Sequence, residues 1–249
     1  MKTVSKMLLS LLTYGVIACG SSGSGIQISN SSVVLSNNFT GANNASWPSG
    51  WTTVSSSATI SVDIQNNRGR LRSNSYNGMT SNSALTRVIN NTINIQDSDV
   101  VFTVEFEDFA NQGVGFYVRQ NGGYLTDTAT NGQGYSVFME GNGTDDLGLW
   151  YELNGIETLL TGSNVPAITI LNNTAYKIRF QVQQLNSLDT IQRCKVWLAS
   201  GTEPAAWSIQ FTSSFSALQN ISGGVAVDLF NYSGTNSIYL DDIVVTELN

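Results

Sequence analysis

Glu105 and Glu107 stand two residues apart in Thr103-Val104-Glu105-Phe106-Glu107-Asp108. On an extended strand that spacing puts both carboxylates on one face, about 7 Å apart. Carboxyl pairs about 5–5.5 Å apart suit retaining glycoside hydrolysis, and pairs about 6.5–9.5 Å apart suit inverting hydrolysis. The competing reading is a solvated strand face behind Phe102, Val104 and Phe106. The aromatic residues offer a second chemistry. Trp and Tyr rings are large apolar surfaces with a polar edge, suited to the C–H face of a sugar, and Asn, Gln, Asp and Arg can hold its hydroxyls. Trp150 and Tyr151 are adjacent, so on a strand they point to opposite faces and one must leave the core. Trp150, Tyr151, Arg119, Tyr135 and Trp207, with Glu105 and Glu107, form the candidate carbohydrate-binding set. For each ring alone, packing is the competing reading, and Trp47 and Trp51 are assigned to packing.

Other chemistries are excluded by composition. The chain has 249 residues and no histidine, which removes Ser-His-Asp and Cys-His catalysis and His-bearing zinc sites. It carries 11 Lys+Arg against 18 Asp+Glu, a formal charge of −7. That balance argues against a nucleic-acid partner, whose binding rests on cations that displace counterions. Charged residues are 12% of the chain and its polarity comes from neutral residues, among them 26 Asn. With 41% hydrophobic residues the chain can bury a core. There is no Gly-rich phosphate loop between a strand and a helix. The Asn-x-Ser/Thr triplets are those expected by chance in so Asn-rich a chain. Asp145 and Asp146 fit a turn.

The N-terminus reads as an export signal. Lys2 and Lys6 precede a mostly apolar stretch from Met7 to Ala18. A spanning helix needs about 20 apolar residues, so the stretch has the proportions of a signal peptide, residues 1–18. Val16-Ile17-Ala18-Cys19 resembles the lipobox of bacterial lipoproteins, with Ile17 bulkier than usual at its position. That resemblance implies that Cys19 is lipidated and becomes the first mature residue. A plain signal peptide with an incidental cysteine is the competing reading. Residues 19–32 then supply the lipidated Cys and a tether that includes Gly20-Ser21-Ser22-Gly23-Ser24-Gly25. Two or more acyl chains anchor a protein stably. The expected location is therefore outside the cytoplasm, on a bacterial membrane; in a cell with two membranes, the absence of Asp at position 20 resembles lipoproteins sorted to the outer one. Cys194 lies beside Val196 on an alternating stretch and reads as a small core residue.

Residues 33–249 show alternation of period two and no sustained helical period. In Tyr176-Lys177-Ile178-Arg179-Phe180-Gln181-Val182-Gln183 the apolar and polar residues alternate cleanly, as in a half-buried antiparallel strand. Val100 to Phe106 repeats the pattern. Further strands are predicted near 33–39, 58–64, 69–73, 84–89, 113–119, 134–140, 147–152, 191–199, 205–211, 223–230 and 236–246. The segments 121–131 and 153–173 are expected to be longer loops. Short strands at this spacing predict an all-β, antiparallel two-sheet β-sandwich in one domain, 33–249.

The order of motifs resembles the concanavalin A-like lectin/glucanase (laminin-G-like) jelly rolls of secreted bacterial proteins. It is carried by Ser36-Asn37-Asn38-Phe39-Thr40, Trp47 and Trp51, Gly113-Val114-Gly115-Phe116-Tyr117-Val118-Arg119, Gly134-Tyr135-Ser136-Val137-Phe138, and Ile238-Tyr239-Leu240-Asp241-Asp242-Ile243-Val244-Val245. The resemblance covers nearly all of 33–249. It implies a jelly roll of a superfamily that mixes sugar-binding modules, glycosidases and protein-binding domains, and glucanases of that fold carry a Glu-x-Asp-x-(x)-Glu strand that Glu105-Phe106-Glu107-Asp108 does not complete. It also implies a Ca²⁺ site, with Asp241 and Asn38 as ligands. Asn37 and Asn38 replace the acids usual at the opening strand, and an acid pair capping the sandwich edge is the competing reading. The leading expectation is a non-catalytic surface lipoprotein with a lectin-like domain whose partners are a polysaccharide or glycan and, through its anchor, a lipid bilayer. The alternatives are an adhesive or structural surface protein with protein partners and a glycoside hydrolase.

Overall fold

The computed structural model describes residues 31–55, 60–73, 84–126, 129–141, 147–163, 168–231 and 234–249. The signal segment, Cys19 and the Gly/Ser tether lie outside the described residues, as do Asp145 and Asp146. The strands, in chain order, are β1 (Ser32–Asn37), β2 (Trp51–Ser55), β3 (Ile60–Gln65), β4 (Arg68–Ser73), β5 (Ala84–Ile95), β6 (Ser98–Phe106), β7 (Gln112–Asn121), β8 (Gln133–Glu140), β9 (Leu147–Leu153), β10 (Ile156–Ser163), β11 (Tyr176–Gln184), β12 (Thr190–Leu198), β13 (Ile209–Ser213), β14 (Gly223–Asn231) and β15 (Ser237–Glu247). Helical structure among the described residues is confined to two short 3-10 turns, Phe109–Asn111 and Ser216–Leu218.

The strands form two antiparallel sheets. Sheet A runs β13-β12-β11-β6-β15-β4-β3, with β1 also paired to β15, and sheet B runs β10-β9-β8-β7-β14-β5-β2. Neighbours such as β6 and β15, or β7 and β14, are far apart in sequence, so the chain crosses repeatedly between the layers. The expected sandwich is what the alternation builds. Val100, Phe102, Val104 and Phe106 of β6 and Tyr176, Ile178, Phe180 and Val182 of β11 are buried on the inner face of sheet A. Val114, Phe116 and Val118 of β7 and Val225, Val227 and Leu229 of β14 meet them from sheet B. Phe102 and Phe116 stack with centroids 5.0 Å apart. Cys194 is free and fully buried in this core, as its place beside Val196 predicts. Trp47 is buried and Trp51 half-buried against the core, bearing out their assignment to packing.

The segment 153–173 differs from expectation, because it contains β10. Asn154 (φ 55°) and Gly155 (φ 76°) form a tight two-residue turn, and β10 folds back on β9 with Glu157 opposite Glu152. Asn-Gly is the dipeptide that most favours such a hairpin, since both central residues need positive φ. β2 is also additional. It is short and pairs only at the edge of sheet B, where its alternation is too brief to register.

Candidate functional site

The register of sheet B arranges its outer face in transverse rows. One row runs Leu159, Trp150, Ser136, Tyr117, Ala226, Ile89 and Thr52 across β10, β9, β8, β7, β14, β5 and β2. The next places Phe138, Gly115, Asp228, Arg87 and Val54 side by side. On the other side of the first row lie Glu157, Glu152 and Gly134. Phe138 covers Gly115, where a Cβ would sit 2.3 Å from its ring. Tyr117, Phe138, Phe230, Ile89 and Ala226 form a second apolar cluster on this face, joined by Tyr124 from the loop after β7.

Arg87 runs through the middle of this cluster and is fully buried. Its Nε and Nη2 donate to the two oxygens of Asp228, each at 2.7 Å. Its Nη1 donates to Glu152 at 2.6 Å and to the Gly123 carbonyl at 3.0 Å. Its guanidinium carbon lies 4.1 Å from the Tyr117 ring centroid, and small Ala226 leaves it the room to cross the row. The Tyr117 hydroxyl donates to Glu157, whose carboxylate is 3.8 Å from Arg87. One guanidinium thus faces three carboxylates. Burial alone would lower the Arg87 pKa, but Asp228, Tyr117 and Glu152 outweigh it and hold the group firmly protonated. Burial raises the pKa of Asp228 and Glu152 against the pull of Arg87. Glu157 is pushed up to about 7, first by burial and then by the charge of Asp228, while the Tyr117 hydrogen bond and Arg87 pull the other way. Its side chain keeps 19% of its surface exposed, whereas Asp228 and Glu152 are sealed.

Beside this cluster lies an open groove of about 770 Å³. One wall is Gly50, Thr52, Val54, Ile89, Asn91 and Thr92, and the other is Gly122, Gly123, Ala129 and Thr130. The far wall is tied to the body: Gly123 accepts from Arg87, Gly132 N donates to Leu125 O, and Gly155 N donates to Gly132 O. The described lining is hydroxyl, amide, glycine backbone and three aliphatic side chains, with no charge.

The residues assigned to sugar contact do not converge on this groove. Trp150 is half-buried on the outer face of sheet B, edge-on to Phe138. Tyr151 points the other way and packs against the core and Phe215, confirming that the adjacent pair splits between faces. Arg119 and Tyr135 are fully buried between the sheets. The reason is a bulge: β7 slips register after Val118, and Arg119 takes a positive φ of 51°. Its guanidinium bonds Gln96 O at 2.7 Å and Leu218 O at 2.8 Å and pairs with Asp97 at 3.2 Å. The Tyr135 hydroxyl meets Ser213 Oγ at 2.7 Å. Arg119 and Tyr135 close one end of the sandwich and have no surface for a sugar.

Glu105 and Glu107 share one face as their spacing predicts, but it is the outer face of sheet A. Glu105 pairs with Arg68 at 2.7 Å. Glu107 accepts from Ser237 N at 2.6 Å and from the Tyr239 hydroxyl at 2.9 Å. Both carboxylates are engaged in holding strands together, away from the groove. Trp207 lies over the same sheet at its β11–β13 end. Asp241 Oδ1 accepts from Asp242 N, and Asn38 Oδ1 accepts from Thr40 N. Among the described residues no three Cys, Asp or Glu side chains gather as a metal site. Sequence reasoning missed Glu157, Arg87 and Asp228. The Asn154-Gly155 turn signals the placement of Glu157 opposite Glu152, but nothing local signals the meeting of Arg87 with Asp228, 141 residues later.

No protein-family model and no curated protein matches the sequence. Solved structures do match in shape. The CBM2 module of the evolved Dit of Lactobacillus casei BL23 phage J-1 is 14% identical, with 89% of this chain and 97% of that chain covered at a TM-score of 0.51. A β-glucanase of Bacillus licheniformis is 12% identical, with 86% and 97% covered at a TM-score of 0.51. The exoplasmic/lumenal domain of VIP36, in a Ca²⁺/Man3GlcNAc-bound form, is 10% identical, with 79% and 83% covered at a TM-score of 0.50. At these identities the likeness bears on the fold alone, and it agrees with the topology: the chain is an all-β, antiparallel two-sheet sandwich of the concanavalin A-like jelly-roll kind.

Proposed function

We propose that this chain is a non-catalytic carbohydrate-binding module, carried on a lipid-anchored bacterial surface protein, that holds a glycan in the groove over the outer face of sheet B. The observation that carries the reading is the groove's chemistry. Thr52, Thr92, Thr130 and Asn91 offer hydroxyl and amide partners, Val54 and Ile89 offer an apolar floor, and no described side chain brings a charge. That set matches a neutral polyhydroxylated ligand, which needs hydrogen bonds and modest apolar contact. A module of a phage protein and a mannose-glycan-bound domain share the fold, which supports the reading without identifying the sugar. Lipid anchoring rests on Val16-Ile17-Ala18-Cys19 alone, and mass spectrometry of the purified protein would find acyl chains on Cys19.

Affinity electrophoresis through neutral polysaccharides tests the groove. The protein should be retarded, and Ala129→Trp, which places an indole into the groove from an exposed position, should abolish retardation. No retardation in any neutral polysaccharide counts against the reading. Hydrolysis is the second reading, favoured by one observation: Glu157 has the pKa of a proton donor at neutral pH and part of its side chain is exposed. The sealed Glu152 and Asp228, committed to Arg87, leave it no open carboxylate partner among the described residues of the cluster, so binding is preferred. Reducing-sugar release that disappears in Glu157→Gln would replace binding by hydrolysis.

A further inference from the structure

The outer face of sheet A carries a feature the groove does not explain. Arg179 and Lys195 stand opposite each other on β11 and β12. Arg193 stands between Gln181 of β11 and Gln210 of β13. The indole of Trp207, from the segment before β13, lies over all three cations. Its ring centroid is 4.7 Å from Lys195 Nζ, 5.0 Å from the Arg193 guanidinium carbon and 5.9 Å from that of Arg179. Two of the cations are neutralised: Arg179 pairs with Asp99 and Glu203, and Lys195 with Glu203 at 2.7 Å. Arg193 is not. Among the described residues it makes one hydrogen bond, from Nε to Gln181 Oε1 at 2.6 Å, and no ion pair. Three cations against Asp99 and Glu203 leave this patch with one net positive charge on a chain whose formal charge is −7.

We propose that this face is a second binding site, separate from the groove, and that it takes a carboxylate-bearing polysaccharide. The two Nη groups of Arg193 present the parallel N–H pair that matches a carboxylate. Half-buried Trp207 provides a ring for the apolar face of the same sugar, and exposed Gln210 provides an amide for a neighbouring hydroxyl. Gln181 fixes the guanidinium by its Nε edge, so Arg193 is oriented before a ligand arrives. The acidic remainder of the chain repels a polyanion, which favours its arrival at a patch of opposite sign. A lipid headgroup could supply an anion as well, but the flat side of a sheet with amides and a half-buried indole suits an extended polar polymer. The binding should therefore weaken as salt screens the pair.

The test is affinity electrophoresis of the purified full chain through polygalacturonate and through the same polymer with its carboxyls methyl-esterified. Retardation is expected only with the free acid and should weaken on raising the salt. Trp207→Ala and Arg193→Gln should each weaken it by about tenfold, the scale of one lost charged or aromatic contact. Arg193→Lys should fall between, and unchanged thermal melting of Arg193→Gln verifies the fold. Ala129→Trp should leave it unaltered, so loss of the groove function and loss of this site are read separately. The proposal is overturned if the wild type is not retarded, if both variants behave as wild type, or if the chain binds anionic phospholipid vesicles and not the polyuronate.

Discussion

Glu157→Gln tests the charge arithmetic of the buried cluster. The Glu157 carboxyl has a pKa of about 7 in the folded chain against an ordinary 4.5. Between those values the folded state binds a proton that the unfolded state has released. Stability contributed by this group is therefore fully present below pH 4.5, falls as pH rises toward 7, and levels off above it. A separation of about 2.5 units at about 1.4 kcal/mol per unit gives an upper bound of about 3.5 kcal/mol. Glutamine keeps an acceptor for the Tyr117 hydroxyl and never ionises. The variant should thus match wild type near pH 4.5 and exceed it above pH 7. At roughly 2–4 °C per kcal/mol for a domain of this size, the gap in Tm reaches about 7–14 °C. Thermal unfolding followed by circular dichroism from pH 4.5 to 8.5 measures it. Glu152 and Asp228 titrate in both proteins, so the difference between the curves reports the Glu157 charge together with its coupling to them. A gap that stays constant with pH, or a variant less stable than wild type at pH 8, would refute the reasoning.

Two further outcomes follow from the same cluster. Arg87→Met removes the cation that faces Asp228, Glu152 and Glu157, and at pH 8 should cost about 3–5 kcal/mol in urea unfolding, less at pH 5 where the carboxyls can protonate. Gly155→Ala puts a Cβ 2.5 Å from the Leu125 carbonyl carbon at a φ of 76°. It should lower Tm and raise hydrogen exchange in 122–126, the wall of the groove, before the core strands are affected.

What could be read in the sequence was what depends on near neighbours. Alternation in Tyr176 to Gln183 and Val100 to Phe106 determined strands, faces and the two-layer class, because side chains on a strand alternate whatever its partner. The split of Trp150 from Tyr151 and the shared face of Glu105 and Glu107 followed from the same rule. Which face becomes an outer surface, and which sheet a strand joins, depends on crossovers between residues over a hundred positions apart. Arg119 shows the limit: strand alternation and polarity would leave it outside, yet one bulge turns it inward to close the sandwich. Glu152 and Glu157 share one hairpin, but Arg87 and Asp228 come from strands far from it and from each other in the chain, and only the sheet order β10-β9-β8-β7-β14-β5 brings all four to one place. Local chemistry sets what each segment can be. The energy of pairing one buried cation with distant carboxylates exists only after the sheet has closed, so tertiary structure alone decided where charge, groove and surface patch would lie.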